Sequence, residues 1–374
     1  MGKSKRIFFK ILRILGKALA VILILLLLVI LFVRSPWGQN IIKDKLVSTI
    51  SDKTGTVVEL DRLFITFGGN IQLDGLYMED TKGDTLVYSR HLNADVPLWP
   101  LIKGSGFSLD DLQWEGLRAK ITRQDSIAGF NFQFLMDAFA TPPAAEVDEA
   151  TPVDTTATMA IHLGNFDLKD FNIVYNDKIT GINSRYRFDE LGLKLNKTDL
   201  DSMDFEASGV TLKNAHINLE QFAPLYPPDT SATAPMPRLV ISDVLLQDVR
   251  ADYKNIDDSL SAKVNLKKLT ARIPEVDLRH NRIDVSAFAL SDSQIEVENN
   301  NPPDKAVPVT GNREMTLREI WPPFTVNVDD FRITNTDIAY AAMGKQPVKG
   351  QFDPDALKLE NIDFALSDLI LKKY

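Results

Sequence analysis

The side chains that most often perform chemistry in proteins are scattered along this sequence and form no recognisable site. None of the histidines lies near another histidine at the spacing that zinc ligands require. The chain contains no cysteine, which excludes thiol chemistry, disulfide bonds and cysteine-bound metals. We therefore predict no metal site and no cofactor. The four histidines are His91, His162, His216 and His280.

The acidic and glycine-rich stretches contain no catalytic or ion-binding motif either. Residues 199–204 contain three aspartates but lack the glycine and the distal glutamate of a calcium-binding loop, so we predict a solvated turn. Gly68 and Gly69 belong to no phosphate-binding motif and predict a hairpin turn. Paired acids recur in many strand-like units, as turn-forming residues do, whereas a catalytic pair occurs once in a site. The sequence therefore predicts that the protein is not an enzyme.

The charge of the chain is divided between a basic start and an acidic body. Six basic residues and no acidic residue lie among residues 1–17, which leaves 36 basic against 51 acidic residues in the rest of the chain. A nucleic-acid-binding protein generally exposes a basic surface, so this balance argues against general nucleic-acid binding. With 44% hydrophobic residues, a chain of 374 residues can build a sizeable core.

The longest apolar run follows the basic start and predicts a membrane anchor. Residues 18–33 carry no polar side chain, and apolar residues upstream extend the run towards the roughly 20 residues that a spanning helix needs. A cleaved signal peptide is the alternative, but the sequence that follows lacks the small residues of a cleavage site. We predict a single transmembrane helix over residues 18–34, with residues 1–17 in the cytoplasm and the rest of the chain exported.

A second helix is predicted directly after the anchor, over residues 35–55. Ser35 and Pro36 are typical of a helix start, and Gly55 is typical of a helix end. The apolar residues recur at helical spacing between charges of both signs, which favours a helix that caps the following domain over one that lies on the membrane surface. We assign Trp37 to the bilayer surface, and the residues assigned to the domain side are Ile41, Leu46 and Ile50.

From residue 56 to residue 374 apolar and polar side chains alternate, which is typical of β-strands. A four-residue pattern interrupts the alternation, with one apolar residue, two polar or small ones, and another apolar residue. A spacing of three puts the second apolar residue on the wrong face of a strand, unless one extra residue forms a bulge or bend. Each pattern therefore predicts a corner between two strands that share one apolar face. It occurs at residues 73–76, 109–112, 168–171, 188–191, 246–249, 266–269, 328–331 and 359–362.

Longer blocks repeat as well, and Pro-rich loops separate them. Residues 166–175, 244–253 and 331–340 each end in tyrosine, at intervals that fit groups of several strands. The corner pattern continues across the loops, which favours mobile insertions at the rim of one sheet over linkers between domains. The sequence stops inside an alternating stretch, so we expect the start of a longer domain. The loops lie near residues 140–160, 223–238 and 299–314.

The start of the chain combines an anchor, a capping helix and a strand-rich segment in a fixed order. The positions that define this order are Pro36, Gly38, Gly55, Leu63, Ile65, Phe67 and residues 73–96. Over residues 17–95 the order resembles the N-terminal part of TamB-like proteins of the AsmA superfamily, in a Bacteroidota-like form. Beyond residue 160 the resemblance is one of architecture alone.

The resemblance implies an inner-membrane protein whose bulk is periplasmic and forms a long, curved, largely parallel β-sheet. In this family the sheet makes an open, taco-like trough with an apolar interior. Such proteins are thought to carry phospholipid towards the outer membrane or to help assemble outer-membrane proteins, with an outer-membrane barrel protein as partner. Family members are usually longer, so we expect this chain to cover only the membrane-proximal start of the bridge.

Together, the repeats and the resemblance predict a mainly β fold in which a capping helix precedes an elongated, repetitive trough for acyl chains. The residues leave open that the same apolar side chains pack on each other or on a second sheet. The alternative function is a membrane-anchored scaffold that binds envelope proteins through its Pro-rich loops without carrying lipid. The residues assigned to the trough are Ile65, Phe67, Leu73, Phe166, Leu168, Phe171, Ile173, Leu246, Val249, Val328, Phe331 and Ile333.

Overall fold

The predicted strands and corners form one long sheet preceded by a helix, so the chain is mainly β, as expected. Residue 67, the basic start, most of the predicted anchor and much of the three predicted loops lie outside the described residues. The computed structural model describes residues 24, 25, 27–66, 68–97, 107–127, 129–140, 161–225, 236–300, 324–348 and 350–372.

Helix α1 (Pro36–Thr54) begins and ends where the sequence predicts. The Ser35 side chain accepts a hydrogen bond from the Gly38 amide at 3.0 Å, and Gly55 ends the helix in a left-handed conformation with φ 67°. Residues 27–34 are helical as well, and the apolar side chains among them are largely exposed. Among the described residues, no helix is long and apolar enough to cross a membrane.

The face of α1 that meets the sheet differs from the predicted one. Val47 and Ile50 pack against a buried cluster of strand residues. Ile41 and Leu46 are instead 43% and 40% exposed, so assigning them to the domain side was wrong, whereas the assignment of Ile50 was right. Helical spacing alone does not show which of several apolar stripes is buried. The cluster that α1 covers consists of Val58, Met78 and Leu86.

A polar side chain of α1, Gln39, fixes how the helix meets the first edge of the sheet. Its amide donates a hydrogen bond to the Ile65 carbonyl oxygen at 3.0 Å and accepts one from the Ile65 amide at 2.9 Å. Gln39 is only 3% exposed and takes the place of a neighbouring strand. An unpaired strand edge invites association with other chains, and this contact occupies the edge at Ile65.

The orientation of α1 leads to a prediction for a matched pair of helix variants. Val47→Asp should destabilise the protein by about 2 kcal/mol, because it places a carboxylate against the apolar cluster. Ile41→Asp should change stability by less than about 0.5 kcal/mol, because this side chain is exposed. Urea unfolding of both variants measures the difference. Equal destabilisation by the two substitutions would contradict the observed orientation.

Within the described residues, fifteen strands build the sheet, and their order follows the chain closely. Strands β11, β12 and β13 lie end to end between β10 and β14 and together act as one interrupted strand. The strands are β1 (Val58–Glu59), β2 (Arg62–Ile65), β3 (Asn70–Glu79), β4 (Thr85–Asp95), β5 (Phe107–Arg123), β6 (Ile161–Asp177), β7 (Ile182–Asp199), β8 (Asp204–Gln221), β9 (Arg238–Asn255), β10 (Leu260–Asp277), β11 (Arg282–Val285), β12 (Ala287–Ser291), β13 (Gln294–Asn299), β14 (Thr325–Ala342) and β15 (Ala356–Leu371).

The sheet is mostly antiparallel, which corrects the largely parallel sheet that the resemblance implies. Parallel pairing occurs at β5–β6, at β8–β9 and between β14 and the interrupted strand β11–β13. The chain therefore advances in antiparallel units of three strands, and each new unit joins the last in parallel. A parallel junction needs a long crossover, and the three Pro-rich loops fall at these junctions. The strands on both sides of each loop belong to one sheet.

A line of residues with a left-handed backbone crosses the sheet and passes through some of the predicted corners. At half of the eight predicted corners the third residue has a left-handed backbone, as at Asp170 with φ 53° and Asp248 with φ 53°. Neighbouring strands place such residues side by side, Gly116 beside Asp170 and Asn214 beside Asp248. Glycine, asparagine and aspartate tolerate this conformation best, which explains the recurring polar pair. Bulges of this kind bend the strand and increase its twist.

Asn214 has a left-handed backbone with φ 49°, so we predict that the stability of the fold depends strongly on which residue occupies this position. Asn214→Val should destabilise the fold by about 1–2 kcal/mol, because a β-branched residue is strained in the left-handed region. Asn214→Gly should be nearly neutral, since glycine adopts this conformation freely. Thermal unfolding of both variants tests the corner. If Asn214→Val is as stable as the native protein, the left-handed backbone does not limit which residues this corner accepts.

Candidate functional site: the apolar face of the sheet

One face of the sheet carries an unbroken row of apolar side chains. Residues that pair across neighbouring strands point to the same face, so the register shows which side chains form a row. The leucine row crosses twelve of the described strands, and each of these twelve contributes an apolar residue. Its members are Leu63, Leu73, Leu92, Trp114, Leu168, Leu191, Leu212, Leu246, Leu269, Leu290, Ile333 and Phe364.

A second row runs beside the leucine row on the same face, and on each strand the two rows are two residues apart. It is also apolar in all twelve strands, and it contains the stacked pair Phe288 and Phe331 with ring centroids 5.0 Å apart. The two rows together form a continuous apolar surface. The second row consists of Ile65, Ile71, Ala94, Leu112, Phe166, Leu193, Val210, Val244, Ala271, Phe288, Phe331 and Leu366.

The residues that follow the left-handed corners form a third, deeply buried row. Phe171 is 3% exposed and Thr336 is 0% exposed. Phe171 stacks on Phe188 with ring centroids 5.0 Å apart and meets the edge of Trp114 at 5.6 Å. The Trp114 ring nitrogen donates to the hydroxyl oxygen of Ser89 at 2.7 Å. The corner is therefore the best-packed part of the apolar face. The buried members after left-handed corners are Leu117, Phe171, Ala215, Val249, Ser293 and Thr336.

The structure brings the predicted trough residues to this one face, apart from residue 67, which lies outside the described part. Leu73, Leu168, Leu246 and Ile333 belong to the leucine row, and Ile65, Phe166 and Phe331 belong to the second row. Phe171 and Val249 lie in the corner row, Ile173 lies beyond it, and Val328 continues the face at the other end. All of these side chains are buried or half-buried.

Sequence reasoning missed the members of the rows that lie outside the repeated blocks, such as Leu191, Leu212 and Leu269. Leu191 and Leu269 each end a predicted corner, whereas Leu212 begins a corner whose fourth residue is only an alanine. This signal could not be used without the register, since only strand pairing shows that these residues continue the same row. Gln39 gave no signal in the sequence.

Much of the apolar face remains accessible within the described residues. The members of the leucine row from β6 to β10 are half-buried, and the substantial contacts of these strands are with their neighbours in the sheet. A side chain inside a two-layer core would normally be fully buried. The face is therefore a large apolar surface that the described elements leave partly open, and such surfaces mark binding sites.

Helix α1 and a short segment after β5 cover the beginning of this face. Phe132, Phe134 and Leu135 join Val47 and Ile50 on the cluster over the first strands, and helix α2 (Gln133–Phe139) contacts α1. The Lys53 ammonium lies 4.7 Å from the centre of the Phe139 ring. The predicted capping role of α1 is therefore shared with a second element.

The opposite face of the sheet is polar and has a floor of small side chains. A cavity of about 1300 Å³ lies there between rows of charged residues that include Lys194 and Arg272, and members of the second row such as Phe166 also contribute to its lining. Adjacent residues of one strand thus face different environments, as for Leu245 in this cavity and Leu246 in the leucine row. The small residues of the floor are Gly192, Gly209, Thr211, Thr270, Ala287 and Ala289.

The buried acids act in turns. The Asp177 side chain accepts hydrogen bonds from the Arg123 guanidinium, the Tyr175 hydroxyl, and the amide of Ile179 at 2.9 Å. Burial alone would raise the pKa of Asp177, but these donors outweigh it and hold the pKa well below its usual range. The His280 ring, hydrogen-bonded at 2.7 Å, is the main cause that lowers the pKa of Asp277 to about 2.

Three of the four histidines each form a hydrogen bond with one aspartate. The pairs are His91 with Asp74, His216 with Asp252, and His280 with Asp277. In the described part of the chain, no group of three or more acids and histidines is placed to hold a metal ion. The aspartates of residues 199–204 lie at the hairpin turn between β7 and β8, as predicted.

Comparisons of the chain with protein-family models, curated proteins and solved structures gave no match.

Proposed function

We propose that the protein binds phospholipid acyl chains on the apolar face of its sheet and moves them along the leucine row. The observation that carries this proposal is the unbroken apolar register across twelve strands. A core that serves only packing needs apolar residues wherever a second layer covers it. A conduit needs them in every strand, so that an acyl chain meets no polar step on its path.

The proposal includes a membrane anchor and an envelope location. The predicted anchor continues into residues 27–34, where the apolar side chains are largely exposed, as they would be in contact with lipid. Trp37 is 68% exposed and meets the edge of Phe32, which suits a position at the membrane surface. The chain would then be a TamB-like inner-membrane protein whose sheet carries phospholipid towards the outer membrane, or helps to assemble outer-membrane proteins with a barrel protein as partner.

An experiment in cells separates the conduit from the alternative, a scaffold that binds proteins through its Pro-rich loops. Cells that lack the protein are complemented with one of two variants, and the outer-membrane barrier is measured as resistance to a detergent that it normally excludes. The conduit requires that Leu246→Asp fails to restore the barrier and that deletion of residues 140–158 restores it. The reverse pattern would favour the scaffold and contradict the proposal.

A further inference from the structure

The two ends of the apolar face differ in chemistry. Beyond the corner row, one row includes three tyrosines and a serine among its apolar residues. The row after it, two residues further from the corner, includes Asp177, Gln221 and Asn255. At the other end, from β7 to β15, the outermost row contains no tyrosine, and its one hydroxyl group is that of Thr198. The row is Thr198, Phe205, Leu239, Val276, Ile283, Val326 and Leu371. The tyrosine-containing row is Ile121, Tyr175, Ser184, Leu219, Tyr253, Ala262, Val297, Tyr340 and Leu357.

The three tyrosines end the three repeated blocks of the sequence, and the fold gives them equivalent positions. Tyr175, Tyr253 and Tyr340 lie on β6, β9 and β14, the first strands of successive three-strand units. Strands lie about 4.8 Å apart, so these tyrosines recur about every 14 Å along one rim of the face. We call this row the tyrosine rim.

Tyrosine is the side chain that suits a boundary between an apolar and a polar region, because its ring is apolar and its hydroxyl group forms hydrogen bonds. All three rings are half-buried on the apolar face. The Tyr175 hydroxyl donates to Asp177 at 3.0 Å and the Tyr253 hydroxyl donates to Gln221 at 3.0 Å. With the proton so used, the phenolic oxygen offers its lone pairs to a ligand that carries donors.

We propose that the tyrosine rim holds the polar ends of the bound lipids, with their acyl chains pointing across the corner towards the leucine row. This inference rests on the proposed lipid function and deepens it, because it fixes how the lipid is oriented. The acceptor character of Tyr175 and Tyr253 favours a head group with N–H or O–H donors, such as the ammonium of phosphatidylethanolamine.

The dimensions of the face agree with this orientation. Four residues separate Tyr175 from Phe171 in the corner row, which is about 13 Å at about 3.3 Å per residue. Half the hydrocarbon thickness of a bilayer, the reach of one acyl chain, is about 15 Å. A chain whose polar end lies at the tyrosine rim therefore ends at the corner or just beyond it, where Phe171 and Val249 offer apolar side chains.

The test uses two photoreactive phosphatidylethanolamines, one with the reactive group in the head group and one with it at the end of an acyl chain. We expect the first to label residues around Tyr253 and Tyr340, and the second to label the corner and leucine rows. Head-group labelling near Leu239 and Val326, or equal labelling of both ends, would overturn the orientation while lipid binding stands. If neither probe labels the sheet of the folded protein, lipid binding itself is contradicted.

A matched pair of variants tests the hydroxyl groups. The double variant Tyr253→Phe, Tyr340→Phe should lower the preference for phosphatidylethanolamine over phosphatidylcholine about fivefold, since the choline head group has no N–H donor. Tyr186→Phe is the control, because Tyr186 lies on the same face one row further in, beside Ile173. An unchanged preference in the double variant, or an equal loss in the control, would overturn the role of the rim.

Discussion

Leu246→Asp should lower the amount of phospholipid bound by the folded protein at least tenfold. The substitution places a carboxylate in the middle of the leucine row, where Leu246 pairs with Leu212 on one side and Leu269 on the other. An acyl chain passing this point would have to remove water from the charge, which costs several kcal/mol. The measurement is the phospholipid that co-purifies with the protein from membranes, quantified by mass spectrometry.

The control for this prediction is the adjacent residue. Leu245→Asp introduces the same charge on the same strand but on the opposite face, where Leu245 lines the polar cavity. We expect lipid binding to be unchanged in this variant. Circular dichroism and urea unfolding establish that both variants are folded. Equal lipid loss in the two variants would mean that the apolar face is not the binding surface.

Asp177→Ala should destabilise the protein by about 3 kcal/mol. The Asp177 carboxylate is buried, and its removal leaves the Arg123 guanidinium and the Thr180 hydroxyl without their acceptor. It also frees the amide of Ile179, which the carboxylate holds in the turn after β6. Urea unfolding measures the loss. A loss below about 1 kcal/mol would mean that water replaces these hydrogen bonds at little cost.

The pH dependence of stability gives a second view of the same carboxylate. Because its pKa is held well below the usual range, the stability it contributes is fully present above the unfolded-state pKa of about 4 and is lost as the pH falls below that value. Asp177→Asn keeps the shape but cannot ionise. We expect this variant to be less stable than the native protein at pH 7 and to lose less stability between pH 4 and pH 2.

The strands and corners could be predicted from the sequence because both follow local rules. Alternation fixes which side chains share a face. An Asp, Asn or Gly before an apolar residue has a left-handed backbone at half of the predicted corners, as at Asp170 and Asn361, but not at Asp330. The corners at Asn214 and Asn335 were not predicted, because the fourth residue of the pattern is small or polar there.

Strand pairing and helix orientation could not be predicted, because they depend on contacts between distant residues. The repeated blocks do not show whether a neighbouring strand is parallel or antiparallel. The resemblance implied a largely parallel sheet, whereas the sheet is mostly antiparallel. The buried side of α1 is set by Gln39, whose contact with Ile65 joins residues that are 26 positions apart. The apolar spacing of the helix therefore pointed to Ile41 and Leu46, which are exposed.

The most direct test of lipid binding on the apolar face is a photoreactive amino acid placed at Leu212 and, separately, at Thr211, in cells that make the full chain. Leu212 lies in the half-buried leucine row and Thr211 faces the polar cavity, so the two positions differ only in the face they sample. Phe171 and Val249 are 3% and 5% exposed and leave less room for the probe. Lipid binding on this face predicts crosslinked phospholipid at position 212 and none at position 211. Equal crosslinking at both positions, or none at position 212 in the folded protein, would contradict it.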